Sequence, residues 1–154
     1  MKTLLFIIGS VGSLNVANTI VHNLKNKRNL KTVLITSLNA RLINNKFFSQ
    51  IIYEKNKISK SKIFKYLYNF KSKAIFVGSN GYYYLERDFL IEAKKNQILT
   101  FCMLDSWAHP IERFQIFKNN KVLILPDYLG VPFFETKKTF SKIVNNKNIS
   151  VVGL

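Results

Sequence analysis

One cysteine, two histidines and eight acidic residues in a chain of 154 exclude several kinds of chemistry at once. Cys102 has no partner within the chain, so no internal disulfide forms. Its place inside an apolar run is that of a small hydrophobe in a reducing, cytoplasmic setting. One thiol and two distant imidazoles make no ligand cluster of useful spacing, so no metal is expected, and His22 reads as an ordinary helix histidine. Eight carboxylates leave little material for the paired acids of glycoside hydrolysis. No apolar run approaches the ~20 residues that a bilayer-spanning helix needs. Lys2 and the run Thr3–Ile8 superficially resemble a signal peptide, but the run has the length of a strand and no small-residue cleavage site follows it. Also missing are the dinucleotide pattern G-x-G-x-x-G, a Walker G-K-[ST] and a G-x-S-x-G nucleophile elbow.

Apolar residues, by contrast, make up 47% of the chain. With 17.9 kDa and a mean hydropathy of +0.02, that is enough to build one globular domain over residues 1–154. No room is expected for a second lobe. The net charge of +16 follows from 24 Lys and Arg against the eight acids. These lysines are spread through a chain rich in Asn and Ile, the pattern an AT-rich coding sequence produces without selection for binding. A basic surface facing an anionic membrane is the second reading, and nucleic acid the third. The aromatic and basic stretch 62–71 puts Ile63, Leu67 and Phe70 at helical spacing, which suits a core-facing helix better than a base-stacking platform.

Short runs of Val, Ile, Leu and Phe alternate with helix-like segments along the chain. Strands are expected at Thr3–Ile8, Thr32–Ile35, Ala74–Val77, Ile98–Leu104, Lys121–Leu125 and Ile149–Val152, with a seventh, or merely a loop, within Tyr53–Ser61. Leu14, Ala17, Val21 and Leu24 mark the first helix, and Ile43, Phe47 and Ile51 predict a second. Leu85, Phe89 and Ala93 mark another. Ile111–Phe117 is expected as a short helix behind Pro110, and Thr136–Val144 as a further one with Phe140, Ile143 and Val144 inward. The almost unbroken apolar strand at Ile98–Leu104 is expected at the centre, covered on both faces. This alternation predicts an α/β fold, a doubly wound, Rossmann-like parallel sheet of six or seven strands flanked by helices.

In such a sheet the carboxyl ends of the strands form one rim, and ligands bind outside it. Five polar clusters follow the expected strands: 9–13, 37–39, 78–81, 105–109 and 126–128. Gly9 and Gly12 permit close backbone approach at the start of the first helix, where free N–H groups favour an anion; Gly9, Gly12 and Ser13 are therefore candidate substrate contacts. Ser79, Asn80 and Asp127 join them as rim residues, with Asp127 expected beside Asp105. Asp105, Trp107 and His109 form the richest cluster. A carboxylate at a strand end and a nearby imidazole can act as acid and base, with the indole orienting a sugar. The alternative is that Asp105 or His109 caps the short helix, Trp107 covers the sheet end and Glu112 or Arg113 pairs with a neighbour. At the end of the second strand Ser37 and Asn39 stand where a dinucleotide site needs an acid, so no cofactor is expected, although Arg41 would suit a 2′-phosphate. An NAD(P)-binding protein is thereby a minor alternative.

The loop 12–17, the junction 103–107, the stretch 125–131 and the terminal 149–153 together resemble the N-terminal lobe of a GT-B-type glycosyltransferase, a fold shared with nucleotide-sugar 2-epimerases. The resemblance implies an acceptor-binding lobe, with a sugar or lipid-linked acceptor, a separate donor-binding partner subunit, and basic and aromatic surface set peripherally against the inner face of the membrane. Asp105 and His109 would then serve proton transfer. Ser13 departs from the family by standing where many relatives carry a histidine. A non-catalytic Rossmann-like binding or interaction module is the competing reading.

Overall fold

The computed structural model describes residues 2–25, 29–44, 46–55, 57–79, 84–106, 108–115, 122–143 and 148–153. Strands β1 (Lys2–Ile8), β2 (Leu30–Thr36), β3 (Gln50–Tyr53), β4 (Ala74–Val77), β5 (Leu99–Met103), β6 (Tyr128–Val131) and β7 (Ile149–Val151) are joined by helices α1 (Val11–Leu24), α2 (Lys60–Asn69), α3 (Tyr84–Lys95) and α4 (Phe134–Ser141). The sheet order is β3-β2-β1-β4-β5-β6-β7 and every pairing is parallel. This is the doubly wound Rossmann-like sheet, with seven strands.

Local signals set the helix ends. Ser10 and Ser59 adopt extended backbone and accept from the N–H groups of Ser13 and Lys62, capping α1 and α2. Gln97 closes α3 in the left-handed region (φ 56°), and the Ile98 N–H reaches back to the Ala93 carbonyl at 2.9 Å. Alternation along the strands sorts the core. Leu5, Ile7, Val33, Ile35, Ile75 and Val77 face α2, α3 and α4, while Phe6, Ile8, Leu34 and Phe76 face α1. Phe6 is fully buried between Phe48 and Phe76, each 5.5 Å away between ring centres.

Four expectations give way. The apolar spacing at Ile43, Phe47 and Ile51 belongs to no helix. After a 3-10 turn at Ala40–Leu42 the chain returns to extended backbone at Ile43, and the Asn44 side chain accepts from the Lys46 N–H. Ile51 then lies in β3, the edge strand, which ends at Tyr53, the first residue of the span where a seventh strand was expected. The strand expected at Lys121–Leu125 is displaced to Tyr128–Val131. Leu123 makes only an isolated antiparallel bridge with Gln115. Asp127 sets the new start: the backbone N–H and hydroxyl of Thr100 both donate to its carboxylate, its own N–H donates to Thr100 Oγ1, and Lys94 Nζ lies at 2.7 Å. The expected helix at Ile111–Phe117 is a 3-10 turn over Glu112–Phe114. Helix α4 begins earlier and ends earlier than Thr136–Val144, so Phe140 is buried but Ile143 is 48% exposed.

A fifth correction concerns coverage. Strand β5 is one place off centre and, among the described residues, covered by helices on one face only, with Leu99 exposed and Phe101 and Met103 half-buried. Among the described residues, α2, α3 and α4 all pack on the same face, while α1, together with Ile43 and Phe48, covers the other over β1, β2 and Phe76 of β4.

Where β3 leaves the sheet, Glu54 accepts from Tyr66 Oη and from Lys62 Nζ at 2.9 Å, tying the edge to α2. Burial pushes the Glu54 carboxyl up, but these two hydrogen bonds and the Lys62 charge outweigh it and hold it below the usual range. Burial and the same carboxylate push the Tyr66 phenol up to about 12. A depressed carboxyl contributes stability that is present above the ordinary carboxylate range and is lost as pH falls through its folded-state value. Glu54→Gln is therefore expected to lower the urea midpoint at neutral pH and to leave it less dependent on pH on the acid side, checked by paired denaturation curves at neutral and acidic pH.

Candidate functional site

Strand order reverses beside β1: the chain leaves it through α1 towards β2, while β4 enters on its other side. The loops after β1 and β4 therefore diverge, and a crevice opens at the carboxyl ends of these strands. Three loops meet there. Gly9, Ser10, Gly12 and Ser13 come from the end of β1 and the start of α1, Gly78 and Ser79 follow β4, and Asp105 follows β5.

Asp105 is the hub. Arg113 Nη1 lies 2.6 Å from Oδ1, Ser79 Oγ donates to the same oxygen at 3.0 Å, and Ser13 Oγ donates to Oδ2 at 3.3 Å. Ser10 Oγ lies 3.5 Å from Oδ2. Ser13 Oγ in turn accepts from the Ser79 N–H at 3.2 Å and from Ser10 Oγ at 3.0 Å. Arg113 is itself held: Nε donates to the Ala108 carbonyl at 3.0 Å and Nη1 also reaches Ser79 Oγ at 3.1 Å. Both charged side chains are largely withdrawn from water, 12% and 19% exposed, so each depends on the other. A Cβ on Gly12 would stand 2.3 Å from Asp105 Oδ2. The open side of this glycine is filled from within the protein, and a carboxylate already occupies the positive end of α1.

A second carboxylate lies behind the first. Glu86, in the first turn of α3, is 2% exposed and accepts from the Gly9 N–H at 2.7 Å. A Cβ on Gly78 would fall 1.9 Å from its Oε1. Burial first, then the charges of Glu86 and Asp105, push the Cys102 thiol well up against the opposing pull of Arg113, so the lone cysteine offers no thiolate.

The structure thus brings Gly9, Gly12, Ser13, Ser79 and Asp105 together. It does not bring His109, which is 78% exposed in the left-handed region (φ 49°) with Nδ1 3.9 Å from Glu112. Nor does it bring Asp127, which precedes β6 and therefore sits at the amino ends of the strands, at the opposite rim from Asp105. There burial raises its carboxyl, but hydrogen bonds from Lys94 and Thr100 and the Lys94 charge hold it below the usual range. Asn80 and Trp107 lie outside the described residues. Neither Asp105 nor His109 caps the 3-10 turn; Ser106 Oγ accepts from the Ala108 N–H instead, and Arg113 is the group that pairs. Glu86 was not singled out in the sequence because an acid in a first helical turn is commonplace. Among the described residues, the cavity flanked by Gly78, Glu86 and Arg113 holds about 10 Å³, too little for a ligand.

No protein-family profile and no curated protein matches the sequence. Solved structures do. MnaA of S. aureus in its co-structure with UDP matches with a TM-score of 0.68 and 14% identity, over 98% of this chain and 44% of that one. A UDP-N-acetylglucosamine 2-epimerase matches at 0.63 and 10%, over 99% of this chain and 48% of its own. MurG of Acinetobacter baumannii matches at 0.63 and 10%, over 99% and 45%. The chain has the fold of one GT-B lobe. It spans a little under half the length of each of these structures, and at such identities the match speaks for the fold alone.

In this lobe the hub makes a prediction with a sign. Gly12→Ala inside a helix would ordinarily add about 1 kcal/mol through helix propensity. Against Asp105 it is expected to destabilise, while in an Asp105→Ala background the same change becomes stabilising. Asp105→Ala alone, which strands Arg113, is expected to cost about 2–4 kcal/mol. Urea denaturation of the four proteins checks the cycle, and additive effects would refute the contact.

Proposed function

We propose that this chain is the acceptor-side lobe of a GT-B-like sugar-transfer enzyme, acting with a separate donor-binding lobe. The observation that carries the proposal is the coverage: the whole sheet, from β1 to β7, matches just under half of MnaA, solved with UDP, and of a UDP-N-acetylglucosamine 2-epimerase. The rim formed by Gly9, Gly12, Ser13 and Ser79 would face the acceptor; Asn80, next to Ser79 in the sequence, and Trp107, two residues after Asp105, remain proposed contacts. Asp105, with both oxygens engaged, holds the three loops in register and acts as a positioning residue. His109, exposed at the same end of the sheet, is the group available to take a proton from an acceptor hydroxyl.

The saturation of Asp105 also favours the second reading, a non-catalytic interaction module with this fold. The two differ in a mixing experiment. Alone, the chain is expected to neither transfer nor hydrolyse sugar from UDP-N-acetylglucosamine; with a donor-binding α/β lobe, sought first in the adjacent reading frame, transfer should appear and His109→Ala should reduce it about 100-fold. Turnover by the isolated chain would end the split-lobe reading.

Contact with an anionic membrane is proposed for the outer side of α2. Lys60, Phe64 and Tyr68 lie exposed on successive turns and Lys71 is exposed just beyond the helix end, with Phe64 50% and Tyr68 72% exposed and their rings stacked. Among the described residues no helix is long and apolar enough to cross a membrane. Sedimentation with phosphatidylglycerol vesicles, but not with phosphatidylcholine vesicles, is expected, weakened by salt and by Phe64→Ser/Tyr68→Ser.

A further inference from the structure

The fold segregates its acids. All eight lie among the described residues. Glu54, Glu86, Asp88, Asp105, Glu112 and Glu135 follow strands or stand in the first half of helices, towards the carboxyl ends of the sheet. Only Glu92 and Asp127 stand towards the amino ends, and each is paired with its own lysine, Lys95 at 2.9 Å and Lys94 at 2.7 Å. The amino ends of β3, β2, β1 and β4 carry no acid. They gather Lys46 ahead of β3, Lys31 in β2, Lys2 at the start of β1, Lys73 just before β4, and Lys25 and Lys71 at the last turns of α1 and α2. Among the described residues none of these six meets a carboxylate, and all but the half-buried Lys31 are exposed. Helix dipoles account for cations at Lys25 and Lys71. They do not account for Lys2, Lys31 and Lys73, which belong to strand ends.

The furnishing of this band specifies its partner. At one end Lys25 and Lys46 line a cleft of about 240 Å³ together with Thr32 and Ser49, with room for a phosphate group between two ammonium groups. No large apolar side chain is exposed in the band; Leu99, Tyr128 and Ile143, which are, lie towards β5 to β7. A membrane-binding surface adds apolar anchors to its lysines, and a protein interface has an apolar centre. Single strands are held by stacking bases on open aromatic faces. Here Phe47 and Phe70 are half-buried, with Lys25 Nζ 5.2 Å and Lys31 Nζ 5.7 Å above their rings. Charge without anchors or stacking platforms suits a duplex backbone. From β3 to β4 are three interstrand steps of ~4.8 Å, about 14 Å in all. A duplex presents about eight phosphates along that length, about half of them on the near side.

We propose that the amino-end rim under β3, β2, β1 and β4 binds the phosphate backbone of a nucleic-acid duplex without reading its bases. This rim is at the opposite end of the sheet from Asp105, and the proposal holds whether or not the other rim handles sugars. Anisotropy of a fluorescein-labelled DNA duplex of about 20 base pairs, titrated with the full chain, tests it. Saturable binding indifferent to base sequence is expected, with log K falling against log salt at a slope of about −4, as neutralising about four phosphates requires. Lys25→Gln/Lys46→Gln and Lys2→Gln/Lys73→Gln should each weaken binding about tenfold and flatten the slope by about two. Lys55→Gln/Lys60→Gln removes the same charge at the carboxyl end and should change affinity less than about twofold, because salt screens distant charges. Circular dichroism and urea midpoints confirm that the variants are folded. Absence of saturable binding, a slope shallower than about −2, or an equal loss in Lys55→Gln/Lys60→Gln would overturn the proposal. So would rim variants that keep the duplex but lose phosphatidylglycerol vesicles, or displacement of the duplex by polyglutamate at equal charge, since the partner would then be a membrane or an acidic protein.

Discussion

The carboxylate of Asp105 holds three strand ends together. It receives hydroxyls from the loop after β1 and the loop after β4 and pairs with Arg113, which lies beyond β5 in the chain. Two charges withdrawn from water at low exposure tolerate no loss of partner, and this makes the geometry of the rim unforgiving. The arrangement also reassigns the glycine loop. A helix N-terminus opened by glycine is a general invitation to an anion. Here the anion comes from the protein, placed against Gly12, and Glu86 does the same against Gly78. Both glycines are required because a carboxylate, rather than backbone, stands where a Cβ would be.

That closed network bears on what the lobe can do. A carboxylate with both oxygens occupied by donors is fixed in position by its charge-assisted bonds. Under the proposed sugar-transfer reading, the acceptor-side rim needs rigid placement against a second lobe, which the hub would supply, and His109, outside the network, is the proposed proton acceptor.

The two faces of the sheet are unequally furnished, and the reason is topological. Right-handed crossovers put the connections that run from β1 to β2 on one side and those that run from β4 towards β7 on the other. Helices α2, α3 and α4 consequently share a face, and α1 is left alone on its own. The near-continuous apolar run at Ile98–Leu104 is thus not a sign that helices of this chain bury it twice. Among the described residues its second face carries Phe101 and Met103 half-buried, with no helix laid over them.

Much of the architecture was legible in the residues: the alternation of strand and helix, the two glycines at the first turn, and the meeting of Gly12 and Asp105 at one mouth. These are consequences of local periodicity and of one rule about parallel strands, and both operate on sequence order alone. The sequence was silent or misleading wherever a contact from a distant segment decided the outcome. Leu123–Leu125 has every local feature of a strand, yet β6 starts at Tyr128 because Asp127 is clasped to Thr100 at the head of β5. The same clasp carries Asp127 to the far rim from Asp105. Ile43, Phe47 and Ile51 repeat as a helix would, yet hydrogen bonding of Ser49 to Thr32 draws the segment into the sheet edge. Composition and spacing determined which elements this protein can form; which carboxylate fills which glycine notch, and which sheet face stays bare, were decided only when strands remote in the chain came side by side.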